Sequence, residues 1–124
     1  MKASRVNCIL AVVALALAGG CGRKDAASET ATQQESAANV KSVFQNATED
    51  IKQQAGEVVT AVQSQNPVAA YTQLENLSGR KSLTPEQQQA IFEMRMALVR
   101  QLQAESTKGN AAAEELLNKY RATK

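Results

Sequence analysis

The chain has no histidine and no tryptophan, and its 124 residues include only two tyrosines, two phenylalanines, two cysteines and two prolines. Each shortage removes a class of chemistry. Without histidine there is no side chain that ordinarily titrates near neutrality, the usual general base and the commonest metal ligand. Four scattered aromatics, Phe44, Tyr71, Phe92 and Tyr120, make a poor stacking platform for bases or sugars. Serine and threonine are plentiful, but no base stands by to activate them. The acidic pairs Glu49-Asp50 and Glu114-Glu115 are sequence neighbours, so on a helix they diverge instead of converging on one site. The expectation is a protein that is not an enzyme, needs no cofactor or metal and takes no small-molecule substrate.

Charge is also in short supply. The formal net charge is +2, from 14 basic and 12 acidic residues. Lys2 and Arg5 alone supply that excess, so residues 21–124 are neutral. A balanced body of this kind gives no electrostatic footprint for nucleic acid.

What is present begins at the N-terminus, "MKASRVNCILAVVALALAGGC". Lys2 and Arg5 precede an uncharged run from Cys8 to Ala18. That run is shorter than the roughly 20 apolar residues needed to span a bilayer. It has the proportions of a signal-peptide core, which ends in small residues before a cleavage site. "LAGGC", that is Leu17, Ala18, Gly19, Gly20 and Cys21, resembles the lipobox of bacterial lipoproteins. The family places Leu most often three residues before the cysteine, where this chain has Ala18, with Leu17 one residue further back. The resemblance implies a diacylglyceryl group on the Cys21 thiol and cleavage just before it. Residues 1–20 then leave as signal peptide, Cys8 leaves with them, and no thiol remains for a disulfide. Stable anchoring takes two or more acyl chains, each buried methylene contributing about 0.8 kcal/mol. The family often marks inner-membrane retention with Asp after the cysteine; Gly22 stands there. The resemblance therefore points to the cell envelope, on an outer membrane facing the periplasm where the host has two membranes.

Residues 22–38, "GRKDAASETATQQESAA", hold no large apolar side chain. With little to bury, such a stretch does not offset its ordering entropy, so residues 21–38 are expected to be a lipidated, flexible tether. Helical periodicity starts at residue 39. Val40, Phe44, Ala47, Ile51, Ala55, Val58 and Val62 follow at spacings of 4, 3, 4, 4, 3 and 4, which draws one apolar stripe along a single helix over 39–64. This stripe, above all Val40, Phe44, Ile51, Val58 and Val62, has three destinations: the C-terminal part of the chain, another chain, or a membrane surface. It is the candidate partner-binding face.

The C-terminal half is punctuated by helix starts and stops. Asn66 before Pro67 is a cap followed by proline at the first helical position, and Gly79 follows as a stop. Thr84-Pro85-Glu86-Gln87 has the pattern of a capping box. The helix behind it carries a main stripe of Ile91, Met94, Leu98 and Leu102 and a second of Phe92, Met96 and Val99, which predicts neighbours on two sides. Gly109 and Asn110 separate it from a last helix with Ala113, Leu116, Leu117 and Tyr120. The expected fold is all-α: one long amphipathic helix plus a three-helix bundle over 65–124, with helices near 67–78, 85–108 and 111–122, behind a disordered tether. "PVAAYTQLENL" and "GNAAAEELLNKY" resemble helices of tetratricopeptide and Sel1-like repeats, a likeness that implies binding of peptides or proteins.

Together these readings describe a membrane-anchored envelope lipoprotein that works by binding or scaffolding proteins, or one that self-associates through 39–63. Cys21→Ser should abolish lipidation and membrane retention, because the serine hydroxyl is a far weaker nucleophile at neutral pH. Intact-mass spectrometry of the membrane fraction checks this; a wild-type chain with a free thiol at Cys21 would overturn it.

Overall fold

A computed structural model describes residues 24–124, with side chains from residue 32 onward. The stretch 1–20 expected as a signal peptide, and Leu17, Ala18, Gly19, Gly20 and Cys21, which resemble a lipobox, lie outside the described residues. The described residues form five helices: α1 (Lys24–Val43), α2 (Glu49–Gln63), α3 (Pro67–Ser78), α4 (Pro85–Thr107) and α5 (Ala111–Ala122). All are α, and none is long and apolar enough to cross a membrane.

Two expectations need correction. The stretch 24–38, expected as a flexible tether, is most of α1. Its alanines and glutamines are adequate helix formers, and burial of Gln33 and Ala37 ahead of Val40 supplies the tertiary support that its composition alone does not suggest. The single helix expected over 39–64 is two: the end of α1, then α2 after a turn at 44–48. Asn46 and Thr48 favour turns and caps over helix interiors, and Glu49 and Asp50 sit in the first turn of α2, where acids suit the helix dipole. Thr48 makes no capping bond to the backbone; its hydroxyl donates to Asp50 at 2.6 Å. That bond holds the Asp50 carboxyl below its ordinary range, with Arg80 adding attraction.

The helices pack as a closed ring of four. α1 lies on α2 and α4, α2 on α1 and α3, and α3 on α2 and α4, while the backbones of α1 and α3, and of α2 and α4, stand apart across the ring. α5 fills the outer groove between α3 and α4. Hence α3 and α5, the two repeat-like segments, lie side by side with α4 between them in sequence. The pairing of α1 with α4 is antiparallel, since Gln87 near the start of α4 bonds Val43 at the end of α1 and Glu93 bonds Asn39. At the centre Phe44, Leu74, Leu77, Met94, Leu98 and Leu102 are fully buried together with Val40 and Val58. Each such side chain contributes about 1.5–3 kcal/mol by leaving water.

The ends of the helices are set by side chains the sequence advertises. Asn66 accepts from the Ala69 amide at 3.1 Å and Asn110 from Ala113 at 3.2 Å. The capping box is complete: Gln87 N donates to Thr84 Oγ1 at 3.2 Å, and Thr84 N to Gln87 Oε1 at 3.0 Å. The same Gln87 amide donates from Nε2 to the Val43 carbonyl at 3.2 Å, so one buried side chain starts α4 and satisfies the end of α1. No fully buried side-chain nitrogen or oxygen among the described residues lacks a partner.

Two helices end in the same way with different residues. After α4, Gly109 N bonds Ser106 O, Asn110 N bonds Glu105 O, and Gly109 takes φ +92°. After α2, Gln65 N bonds Val62 O, Asn66 N bonds Ala61 O, and Gln65 takes φ 54°. Both are Schellman turns, but at the second a glutamine occupies the left-handed position that glycine adopts without steric cost. Gly79 caps α3 at φ −74°, so that stop does not use glycine's freedom.

Urea melts of three variants test this account of the fold. Thr84→Ala should lower stability by about 1 kcal/mol through the lost cap. Leu98→Ala should lower it by about 2–5 kcal/mol, since a cavity adds to the lost burial. Gln65→Gly should act in the opposite direction, raising stability by up to about 1 kcal/mol as the left-handed strain is relieved. Equal midpoints for the first two variants would contradict the packing described.

Candidate functional site

Of the three destinations open to the candidate partner-binding stripe, the structure shows it packed inside the chain. Val40, Phe44, Ile51, Val58 and Val62 are all buried. The turn at 44–48 reverses the chain, so the two halves of the stripe face one another's neighbours in a common core instead of forming one outward line. None of the five is available to a second molecule while the bundle is closed.

What the bundle leaves at its surface is different. Phe92 is the one large hydrophobic side chain exposed among the described residues, at 54% of its accessible area. It stands in a groove of about 520 Å³ between α1 and α4. The α4 wall consists of Phe92, Glu93, Met96 and Arg100; the α1 wall consists of Thr32, Glu35, Ser36 and Asn39. The groove exists because of what α1 offers at this level. Its apolar residues Ala37 and Val40 turn into the core, which leaves only small and polar side chains beside Phe92.

Polar contacts hold the α4 wall. Glu93 accepts from Asn39 Nδ2 at 3.3 Å and from Gln89 Nε2 at 3.0 Å, one donor from each helix. Met96 is half-buried, and the Tyr120 hydroxyl of α5 points to its sulfur at 4.0 Å. Arg100 is exposed and forms no ion pair with residues 32–124, whose side chains are described. The groove therefore offers an aromatic face, a thioether, a carboxylate fixed in place and an exposed guanidinium. These groups can bind a surface non-covalently.

A smaller hollow of about 230 Å³ lies between α3 and α5, bordered by Tyr71, Glu75, Leu116 and Tyr120. Burial raises the Tyr71 hydroxyl above its ordinary pKa, and the Glu75 carboxylate adds to that. Glu75 is committed to Arg95 at 2.8 Å, an ion pair that ties α3 to α4. No group of three histidine, cysteine, aspartate or glutamate side chains with the geometry of a metal site occurs among the described residues.

Sequence periodicity singled out Phe92, Met96 and Val99 as a second stripe on α4 but assigned it wholly to packing. The structure divides it: Val99 is buried, Met96 is half-buried and Phe92 is open. The missing signal was α1, whose polar flank decides what remains uncovered.

No protein-family model, curated protein or solved structure matches this chain.

Proposed function

We propose that this chain is a lipid-anchored protein of the bacterial cell envelope that binds or scaffolds protein, without catalysis, through the Phe92 groove. The anchor is Cys21, and its placement is the outer membrane facing the periplasm where the host has two. "LAGGC" supports the anchor. Only Gly22 and Arg23 separate Cys21 from the first residue of α1. At about 3.3–3.6 Å per extended residue, the lipid then holds the bundle close to the headgroups, not at the end of a long tether.

The observation that carries the binding role is Phe92. A large ring at this exposure, set in a groove with a half-buried methionine and charged groups at its edge, has the makings of an anchor residue; aromatic side chains, methionine and arginine are enriched at interfaces. Self-association through 39–63 is not carried forward, because that stripe lies in the chain's own core.

A photo-crosslinking amino acid tests the reading in the cell. Placed at Phe92 in the full chain, p-benzoylphenylalanine should give a discrete protein adduct on irradiation. Placed at Glu57, exposed on α2 on the far side of the ring, it should give none of comparable yield. No protein adduct at Phe92, or equal adducts at both positions, would overturn the binding role.

A further inference from the structure

We infer that the partner at the Phe92 groove is a second copy of this chain, with α4 of one copy lying antiparallel on α4 of the other about a twofold axis through Met96. This deepens the binding role above and rests on its choice of groove; it does not depend on the lipid.

The argument starts from spacing. Phe92, Met96 and Arg100 stand four residues apart with Met96 at the midpoint, Glu93 lies beside Phe92, and all four line the groove. In a twofold pair the same patch serves both copies, and every contact off the axis occurs twice. An axis perpendicular to α4 at Met96 sets each residue against the one equally far on the other side. Met96 then meets Met96 of the other copy, and Arg100 meets Phe92 and its neighbour Glu93.

The chemistry at that meeting is complementary. A guanidinium lies well on an aromatic face and pairs well with a carboxylate. Glu93 is already oriented by Asn39 and Gln89, so little freedom is lost when it accepts a cation. Arg100 is exposed and forms no ion pair with residues 32–124, so its guanidinium can turn to the second copy. An axis running along α4 would instead set Glu93 on Glu93 and Arg100 on Arg100, and like charges facing one another disfavour that pairing. Charge therefore selects the antiparallel arrangement. Phe92 is the one large hydrophobic side chain exposed among the described residues, whereas the exposed face of α2 presents Lys52, Gln53, Glu57 and Thr60.

The geometry has a consequence for the anchored protein. α1 is antiparallel to α4, so the two Lys24 ends sit at opposite ends of the pair. With both copies lipidated, the pair lies along the membrane, one anchor at each end.

Charge exchange tests the inference. Two versions of the full chain, with different C-terminal affinity tags, are co-produced, extracted in nonionic detergent and captured by the first tag. Wild-type copies should co-purify. Glu93→Arg on both copies, or Arg100→Glu on both, should lower recovery of the second tag about tenfold, since each variant sets like charges together twice. Glu93→Arg on one copy with Arg100→Glu on the other should restore recovery, because both contacts again join opposite charges. Circular dichroism of each variant confirms that the exposed substitutions leave the helices intact. Absence of co-purification for the wild type, single variants that pair like the wild type, or a mixed pair no better than the single variants would each overturn the inference. An adduct of Phe92 with a different protein alongside such a result would leave the binding role standing and remove the second copy alone.

Discussion

The inner face of α4 is the seam on which the other helices depend. Met94, Leu98 and Leu102 are fully withdrawn from water along it, with Ala90, Ile91 and Ala97 beside them. Over its 23 residues, about 34 Å at 1.5 Å per residue, α4 receives α1, α3 and α5 directly. α2 packs its backbone against α1 and α3. Shortening this seam would remove the surface that α1, α3 and α5 share. The surface ion pairs, by contrast, join parts already in place: Arg95 with Glu75 across α3 and α4, and Arg80 with Asp50 and Gln54 across a loop and α2. Partly exposed pairs of this kind contribute about 0–1 kcal/mol.

Much of the C-terminal half was legible in the sequence, for local reasons. Asn66-Pro67, Thr84-Pro85 and Gly109-Asn110 act within a few residues of themselves, and their caps need no tertiary context. The N-terminal half was less legible because its helix is completed by distant groups. α1 lacks large apolar residues before Val40, and its place depends on α4 and on Gln87, more than forty positions away. The turn at 44–48 was hidden by a coincidence of spacing: Phe44, Ala47 and Ile51 keep a helical interval across a chain reversal. Gln65 shows the same limit on a smaller scale. The turn after α2 imposes a left-handed conformation on a residue with no special liking for it, and composition carries no trace of that demand.

The candidate site follows from this division. Periodicity places Phe92 on α4 but does not say which neighbours cover it. Once α1 packs with Ala37 and Val40 inward, only Thr32, Ser36 and Asn39 border the ring with Glu35, and the ring stays open. The polarity that made α1 look like a tether is thus what opens the groove beside it. The candidate anchor and the candidate binding surface are consequently linked through one helix, which begins three residues after Cys21 and whose last carbonyl, that of Val43, accepts from Gln87 of α4.

That α1 belongs to the folded body, and is not a leash attached to it, is the claim on which this account stands. Native-state hydrogen exchange reads it directly, since amides held by packing open only with the unit they belong to. The amides of residues 37–43 should exchange nearly as slowly as those of Met94 to Leu102, with protection fading toward Lys24. Exchange of 37–43 at the rate of an unstructured chain, while α4 remains protected, would contradict it.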